Sequence, residues 1–156
     1  MVRIEMENGG IIDIELYEDK APITCANFVK LVSDGFYDGL IFHRVIAGFM
    51  IQGGDPTGTG CGGSDKNIKG EFAVNGVKND ISHVRGVISM ARSQNYNSAS
   101  SQFFIMHADG KFLDGQYAAF GKVVSGMETV DEIAGIKTDM RDRPVIDMRM
   151  KKVSII

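Results

Sequence analysis

One arginine stands in a stretch of the chain that holds mostly apolar residues and glycine. Arg44 lies in the segment FHRVIAGFMIQGGD, from Phe42 to Asp55, and Gln52 follows it in the same segment. An arginine is permanently charged and presents fixed N–H donors, so beside apolar side chains it can stabilise a developing charge distribution. Taken alone, an arginine in a strand is more often a surface charge. The segment is therefore a candidate site that needs support from elsewhere in the chain.

Two other patterns suggest chemistry but lack the context that the chemistry needs. The run from Gly58 to Gly63 matches GxGxxG. Such a loop binds a dinucleotide by placing its pyrophosphate at the N-terminus of the following helix, whereas residues 64–70 have no helical pattern. A Ser/His/Asp hydrolase is disfavoured because no serine lies in a GxSxG segment. We predict no cofactor and no serine nucleophile.

The cysteines and histidines give no sign of a metal site. The two cysteines are Cys25 and Cys61, and the three histidines are His43, His83 and His107. There is no CxxC pair, and no two histidines have the i, i+4 spacing that would place them together on a helix. A reducing cytosol argues against a disulfide. We predict no metal and structural roles for both cysteines.

Length and composition are typical of one globular domain, and we predict a single domain over residues 1–156. Hydrophobic residues make up 44% of the chain and charged residues 24%. The net charge is -3 and no dense basic run occurs, which disfavours nucleic acid and acidic membranes as partners. The first residues, MVRIEMENGG, lack the apolar run of a secretory signal. We expect a cytoplasmic monomer.

Short strands have to position the candidate site. Alternating apolar residues on both sides of Asn8-Gly9 predict a β-hairpin. Apolar residues at helical spacing predict a helix from about Ala21 to Val32, which stops near Gly35. Short apolar runs follow with no helix between them, at residues 40–46, 49–52, 84–90, 103–106 and 118–124. This pattern is typical of an antiparallel barrel or sandwich.

Three local features complete the predicted fold. Ser125 and Glu128 match the capping-box spacing, so a second helix is expected to begin at Ser125 and to cover one end of the barrel. The apolar residues before and after Lys151-Lys152 have opposite parity, and a β-bulge there would place both sets on one face. The glycine-rich stretch 57–79 is expected to be a long surface loop.

Four segments resemble the cyclophilins, a family of peptidyl-prolyl cis/trans isomerases, in their order and rough spacing. They are FHRVIAGFMIQGGD, GVISMARS, SQFFI and FLDGQYAAFGKV, and the resemblance extends from about Ile4 to Ile155. It implies a mainly β fold, an eight-stranded antiparallel β-barrel closed by two α-helices. It also implies an enzyme that catalyses rotation about Xaa-Pro bonds and assists protein folding. The implied partners are proline-containing polypeptides and, weakly, cyclosporin.

The resemblance assigns roles to individual positions. Arg44 resembles the family's catalytic arginine, and Gln52 is expected to fix its orientation. The implied substrate-binding residues are Phe49, Met50, Gly60, Ala91, Arg92, Ser93, Gln102, Phe104, Phe112, Leu113 and Tyr117. Phe112 stands where many members have Trp, Tyr117 where many have His, and Arg92 where Asn is common. Because phenylalanine lacks the indole N–H donor, Phe112 is expected to weaken cyclosporin binding.

The implied reaction gives an arginine and apolar residues a common purpose. Amide resonance gives the peptide bond a rotation barrier of ~18 to 20 kcal/mol. Shortening Xaa-Pro exchange from many seconds to roughly milliseconds takes about five powers of ten in rate, or on the order of 7 kcal/mol. The charge separation of the amide falls in the twisted transition state, so an apolar pocket favours that state. Arg44 can direct an N–H toward the prolyl nitrogen or an adjacent carbonyl.

Two other functions stay open on the sequence alone. A binding module would hold proline-containing segments in the same groove without relevant turnover. A purely structural barrel in a larger complex would carry a large exposed apolar patch. The presence of Arg44 together with the whole apolar set favours the enzyme.

Overall fold

The computed structural model describes all 156 residues, and its sheet is antiparallel throughout. The strands are β1 (Val2–Met6), β2 (Ile11–Leu16), β3 (Arg44–Ile46), β4 (Met50–Gly53), β5 (Val87–Met90), β6 (Phe103–Met106), β7 (Ala119–Ser125) and β8 (Met150–Ile155). The helices are α1 (Pro22–Ser33) and α2 (Met127–Ala134), and two short 3-10 turns lie at Ala73–Asn75 and Lys111–Leu113. The predicted mainly β fold with eight antiparallel strands and two helices is confirmed.

The sheet curls so that its two edge strands come close. The strand order is β3-β4-β6-β5-β7-β2-β1-β8. Residues just before β3 reach residues at the start of β8: Phe42 N donates to Met148 O at 3.0 Å, and Met150 N donates to Leu40 O at 2.8 Å. These bonds satisfy backbone groups that an open sheet edge would leave unpaired.

The N-terminal hairpin and the C-terminal bulge form as predicted. β1 pairs with β2 so that Val2 lies opposite Ile14, and Gly9 takes a φ of +90° at the turn. The pairing of β1 with β8 skips Lys151. Lys151 and Lys152 both face solvent, so the extra residue lets the apolar residues on either side of the pair turn inward.

The inside of the barrel is filled by apolar side chains from the sheet and from α1. Phe28 of α1 packs against Tyr37, Phe103 and Phe120, with ring centroids 5.1 to 5.5 Å apart. Burying one such aromatic side chain contributes about 1.5 to 3 kcal/mol. α1 is thereby fixed against the strands that carry the candidate site. Neither helix has the length and apolar character that crossing a membrane takes.

The second helix begins later than predicted. Ser125 is the last residue of β7, where it pairs with Asp13, and no side chain caps the helix. Gly126 holds the N-cap position with a φ of +95°, and a Cβ there would collide with the carbonyl oxygen of Ile11. The prediction of a helix starting at Ser125 was wrong because strand pairing takes that residue and only glycine fits the next one.

The stretch 57–79 is not simply a surface loop. Ile68 and Phe72 are buried in the main core. Glu71 is buried as well, and its carboxylate accepts hydrogen bonds from Thr24 N at 2.6 Å and Thr24 Oγ1 at 2.7 Å. The surface-loop prediction was wrong for Ile68 and for residues 70–72, because isolated inward-facing residues leave no periodic pattern in the sequence.

Candidate active site

Three neighbouring strands carry the candidate residues on the outer face of the barrel. Arg44 of β3 lies opposite Gln52 of β4, and Gln52 lies opposite Phe104 of β6. Residues directly opposite one another project from the same face of a sheet. The alternate residues Val45 and Ile51 point into the main core, so the three candidate side chains point outward.

A chain of hydrogen bonds starts at Arg44 and ends on the glycine-rich loop. Arg44 Nη1 donates to Gln52 Oε1 at 3.3 Å. Gln52 Nε2 donates to Gln102 Oε1 at 2.9 Å. Gln102 Nε2 donates to Gly60 O at 3.0 Å and to Gly62 O at 2.8 Å. The guanidinium is exposed to solvent and forms no ion pair, so its charge is free to act on a bound molecule.

An apolar cleft of about 140 Å³ opens beside this guanidinium. Its lining residues are Arg44, Phe49, Met50, Gln52, Ala91, Arg92, Phe104, Leu113 and Tyr117. Met50, Phe104 and Leu113 belong to a small apolar cluster that is separate from the barrel core. The arrangement offers a small apolar ring several apolar side chains to pack against, with charged donors at the rim.

A second cleft of about 220 Å³ adjoins the first and is mainly polar. It is lined by Gln52, Gly60, Cys61, Gly62, Ala91, Arg92, Ser93, Ser98, Ser100 and Gln102. The two clefts share Gln52, Ala91 and Arg92. Cys61, Gly62, Ser98 and Ser100 were not singled out from the sequence. Their nearness along the chain to Gly60 and Gln102 was the only signal that pointed to them.

Arg92 has a side-chain role that the sequence did not indicate. Its guanidinium lies over the rings of Phe72, Tyr96 and Tyr117, 4.5 to 5.1 Å from their centroids. It also donates from Nη2 to Gln116 O at 2.6 Å. Cation–π contacts of this kind hold the rings in place. Arg92 thus fixes the wall of the cleft to which Tyr117 belongs.

Phe112 is the one implied binding residue that lines neither cleft. Its side chain is 73% exposed, and its ring stacks on Phe49 with centroids 5.7 Å apart. Tyr117 lies inside the apolar cleft and meets Phe104 edge-on at 5.8 Å. Phe112 extends the apolar rim outward and supplies no hydrogen-bond donor there.

Asp55 holds the glycine-rich loop in shape. Its buried carboxylate accepts backbone N–H bonds from Thr57 at 2.8 Å, Gly60 at 2.6 Å and Gly62 at 3.1 Å. Burial raises the pKa of this carboxyl, but the donors together outweigh burial and lower it to about 2. The loop turns around a carboxylate of the protein itself, and no helix follows Gly63. The structural feature on which a dinucleotide loop depends is therefore missing.

A serine, a histidine and an aspartate do form a hydrogen-bonded series, although not at the surface. His83 Nδ1 lies 3.0 Å from Asp114 Oδ1, and His83 Nε2 lies 2.9 Å from Ser89 Oγ. Both Ser89 and His83 are 0% exposed. The order of groups is that of a hydrolase triad, but no substrate can reach the hydroxyl. The series is a structural element beneath the cleft, where the imidazole stacks on Phe104.

The remaining reactive side chains form no larger cluster. No group of three or more His, Cys, Asp or Glu side chains is placed to hold a metal ion. Both cysteines are free, with Cys25 buried and Cys61 exposed. Burial raises the pKa of Cys25 to about 12, which keeps it a thiol.

Comparison with known proteins decides which family the site belongs to. The model of the family described as cyclophilin type peptidyl-prolyl cis-trans isomerase/CLD matches residues 1–155. The chain belongs to this family. It is 46% identical over 154 residues to the peptidyl-prolyl cis-trans isomerase ppi1 of Schizosaccharomyces pombe, covering 97% of each chain. It is 44% identical over 154 residues to peptidyl-prolyl cis-trans isomerase-like 1 of Gibberella zeae, covering 98% of this chain and 93% of that one.

Solved cyclophilins share the fold over the whole length. A cyclophilin type isomerase of Cryptosporidium parvum, crystallised in the presence of the dipeptide Ala-Pro, superposes with a TM-score of 0.91 at 36% identity. The match covers 99% of this chain and 98% of that chain. The prediction of a cyclophilin-type enzyme is confirmed: the chain is a peptidyl-prolyl cis-trans isomerase, which catalyses rotation about Xaa-Pro bonds.

Proposed function

We propose that Arg44 is the catalytic residue of this isomerase and that the apolar cleft beside it holds the substrate's proline ring. The observation that carries the proposal is the hydrogen-bonded series from Arg44 through Gln52 to Gln102. This series holds a permanently charged donor at the rim of the cleft. Gln52 orients the guanidinium, and the other residues of the two clefts bind the chain on either side of the proline.

The physical basis is a difference in binding between the planar and the twisted amide. Rotation localises the lone pair on the prolyl nitrogen and reduces the charge separation of the amide. The apolar surface formed by Met50, Phe104 and Leu113 therefore favours the twisted state. An N–H of Arg44 directed at the nitrogen or an adjacent carbonyl favours it further. No covalent intermediate is required, since no bond is made or broken.

Replacing the arginine tests this mechanism. We expect Arg44→Ala to lower kcat/KM for an Xaa-Pro peptide at least tenfold, about 1.4 kcal/mol in barrier, while the barrel stays folded. Lys151→Ala, at an exposed position in the C-terminal bulge, is the matched loss of one positive charge. Turnover by Arg44→Ala equal to wild type would remove Arg44 from the mechanism. Tight peptide binding by wild type without measurable turnover would favour a binding module.

Our proposal for the cellular role is folding assistance in the cytoplasm, as a monomer that acts on proline-containing polypeptides rather than on nucleic acid or membranes. The shallow clefts suit an exposed Xaa-Pro segment, and the related Cryptosporidium enzyme was crystallised with Ala-Pro. The exposed free thiol of Cys61 suits a reducing compartment. Acceleration of a refolding reaction limited by proline isomerisation tests the first part, and the molar mass in solution tests the second.

We also propose weak cyclosporin binding. The exposed Phe112 has no indole N–H to donate to the drug. Titration of cyclosporin against wild type and Phe112→Trp is expected to show tighter binding by the variant, with peptide turnover little changed. Equal affinities would contradict this role for Phe112.

A further inference from the structure

A third cavity borders the catalytic arginine and holds no apolar side chain. Its volume is about 510 Å³, and it is lined by His43, Arg44, Gln52, Gly58, Thr59, Gly60, Asp139, Arg141 and Arg143. It shares only Arg44 and Gln52 with the apolar cleft. One polypeptide lying across Arg44 therefore has access to both.

A loop from the C-terminal part of the chain forms one wall of this cavity. Asp142 O accepts a hydrogen bond from Val45 N of β3 at 2.7 Å, and Asp142 takes a φ of +63°. The bond fixes the loop beside the strand that carries Arg44. Arg141 and Arg143 flank Asp142 in sequence and so are brought to the same cavity.

The one carboxylate in the cavity wall is already occupied. Asp139 Oδ1 accepts the backbone N–H groups of Arg141 at 2.8 Å and Arg143 at 3.1 Å. These two bonds lower the pKa of Asp139. The carboxylate shapes the loop and makes no side-chain ion pair with the arginines that face the cavity.

The guanidinium groups are in contrast only partly satisfied. Arg143 donates to Gly58 O at 2.5 Å and lies 3.5 Å from Asp147 Oδ1. Neither Arg141 nor Arg44 forms an ion pair, and Arg44 has only its long hydrogen bond to Gln52. Three arginines against the carboxylates of Asp139 and Asp147 leave the surroundings of the cavity with an excess of positive charge, carried by the unpaired Arg44 and Arg141.

A buried histidine supplies a second, independent sign of a missing partner. His43 lines the cavity and is 7% exposed. Its Nδ1 is buried and has no hydrogen-bond partner in the protein. Buried polar atoms are nearly always paired, so the unpaired Nδ1 marks this wall of the cavity as one whose polar groups the protein alone does not satisfy.

We propose that this cavity binds an acidic or phosphorylated side chain of the same polypeptide whose Xaa-Pro bond lies in the apolar cleft. The planar fork of arginine donors matches the geometry of carboxylate and phosphate oxygens. The cavity contributes substrate selection and takes no part in the bond rotation. The inference rests on the proposed role of the apolar cleft, because the anionic side chain must belong to the bound substrate.

A peptide series with one Xaa-Pro bond tests the inference. Serine, phosphoserine or glutamate is placed at each of the positions flanking the dipeptide on both sides, and kcat/KM is measured by exchange NMR. For wild type we expect phosphoserine to exceed serine about threefold to tenfold at the positions that reach the cavity, with glutamate between them. The ratio should fall toward unity in Arg141→Gln and at high salt, and should be retained in Lys151→Gln.

Each outcome bears on a different proposal. Equal turnover of serine and phosphoserine peptides at every position, or a preference retained by Arg141→Gln, overturns the anion cavity. Serine-peptide turnover that is unchanged in Arg44→Ala overturns the catalytic proposal instead. Inorganic phosphate alone should compete weakly with the phosphopeptide. If it displaces the phosphopeptide and binds as tightly, the cavity is a site for free phosphate and the inference is wrong.

Discussion

Two series of hydrogen-bonded polar side chains lie close together in this molecule, and only one of them is suited to catalysis. The series Asp114, His83 and Ser89 has the sequence of groups expected of a nucleophilic site. The series from Arg44 through Gln52 to Gln102 has no nucleophile at all. His83 and Ser89 of the first series are buried, whereas the second series begins at an exposed charge beside an apolar cleft.

The difference shows that solvent access and an available charge matter more for function than the order of the residue types in a hydrogen-bonded series. Neutral His83 donates from Nδ1 to the Asp114 carboxylate, so Nε2 accepts a hydrogen bond from the Ser89 hydroxyl. Every polar group of this series is satisfied within the protein, so it stabilises the fold and has no capacity left for a ligand. Arg44 has unused donors, and that unused capacity is what a reacting amide can use.

The strongest test of the contrast is to break the buried series. We expect His83→Leu to lower the free energy of unfolding by about 2 to 4 kcal/mol, because the fully buried Ser89 hydroxyl loses its partner. Urea unfolding measures it. Arg44→Ala, at an exposed position, should change the same quantity by less than about 0.5 kcal/mol.

A second substitution shows how much of the stability loss in His83→Leu comes from the unsatisfied Ser89 hydroxyl and how much comes from lost packing. Ser89→Ala removes the hydroxyl and should cost less in the His83→Leu background than in wild type. If the two changes were simply additive, the hydrogen bond between them would contribute nothing.

Breaking the exposed series should affect catalysis more than stability. Gln102→Leu removes the donor to Gly60 O and Gly62 O and the acceptor for Gln52. We expect kcat/KM to fall about threefold to tenfold, since the orientation of Gln52 and thus of Arg44 becomes less defined. A loss of stability as large as that of His83→Leu, with unchanged turnover, would show that this series is also structural.

The smallest expected effect is a difference in pH dependence. Burial lowers the pKa of His83 below the usual 6.5, although Asp114 opposes this. The unfolded chain therefore binds a proton that the folded chain does not, so the free energy of unfolding decreases as the pH falls below about 6.5. In His83→Gln the decrease from about pH 7 to about pH 5 should be smaller. Burial also lowers the pKa of His43. His43 therefore contributes part of the decrease in the free energy of unfolding in both wild type and His83→Gln.

Local patterns in the sequence were enough to predict the elements that depend on near neighbours. The Asn8-Gly9 hairpin and the bulge at Lys151 follow from alternation and turn chemistry, and both are present. Ser125 failed as a predicted cap because its pairing partner, Asp13, lies far away in the sequence. The inward turn of Phe72 also depends on distant residues.

The candidate site likewise contains residues that the sequence indicated and residues that it did not. The resemblance to a known family pointed to Arg44 and Gln52, and the structure places them side by side. Arg141 was missed because nothing near it in sequence shows that its loop lies against β3. The role of Arg92 was missed because its aromatic partners come from three separate segments.

The anchoring of the loop at residues 139–143 has a consequence for how such isomerases diverge. The loop is fixed to β3 by a backbone bond from Val45 N to Asp142 O, which does not depend on the side chains at positions 140 and 141. Met140 is fully exposed, and the Arg141 side chain forms no hydrogen bond or ion pair. Mutations at these two positions can therefore accumulate without unfolding the barrel or altering the apolar cleft. Through the proposed anion cavity, substitutions in this loop can change which substrates related isomerases select while the catalytic site stays the same.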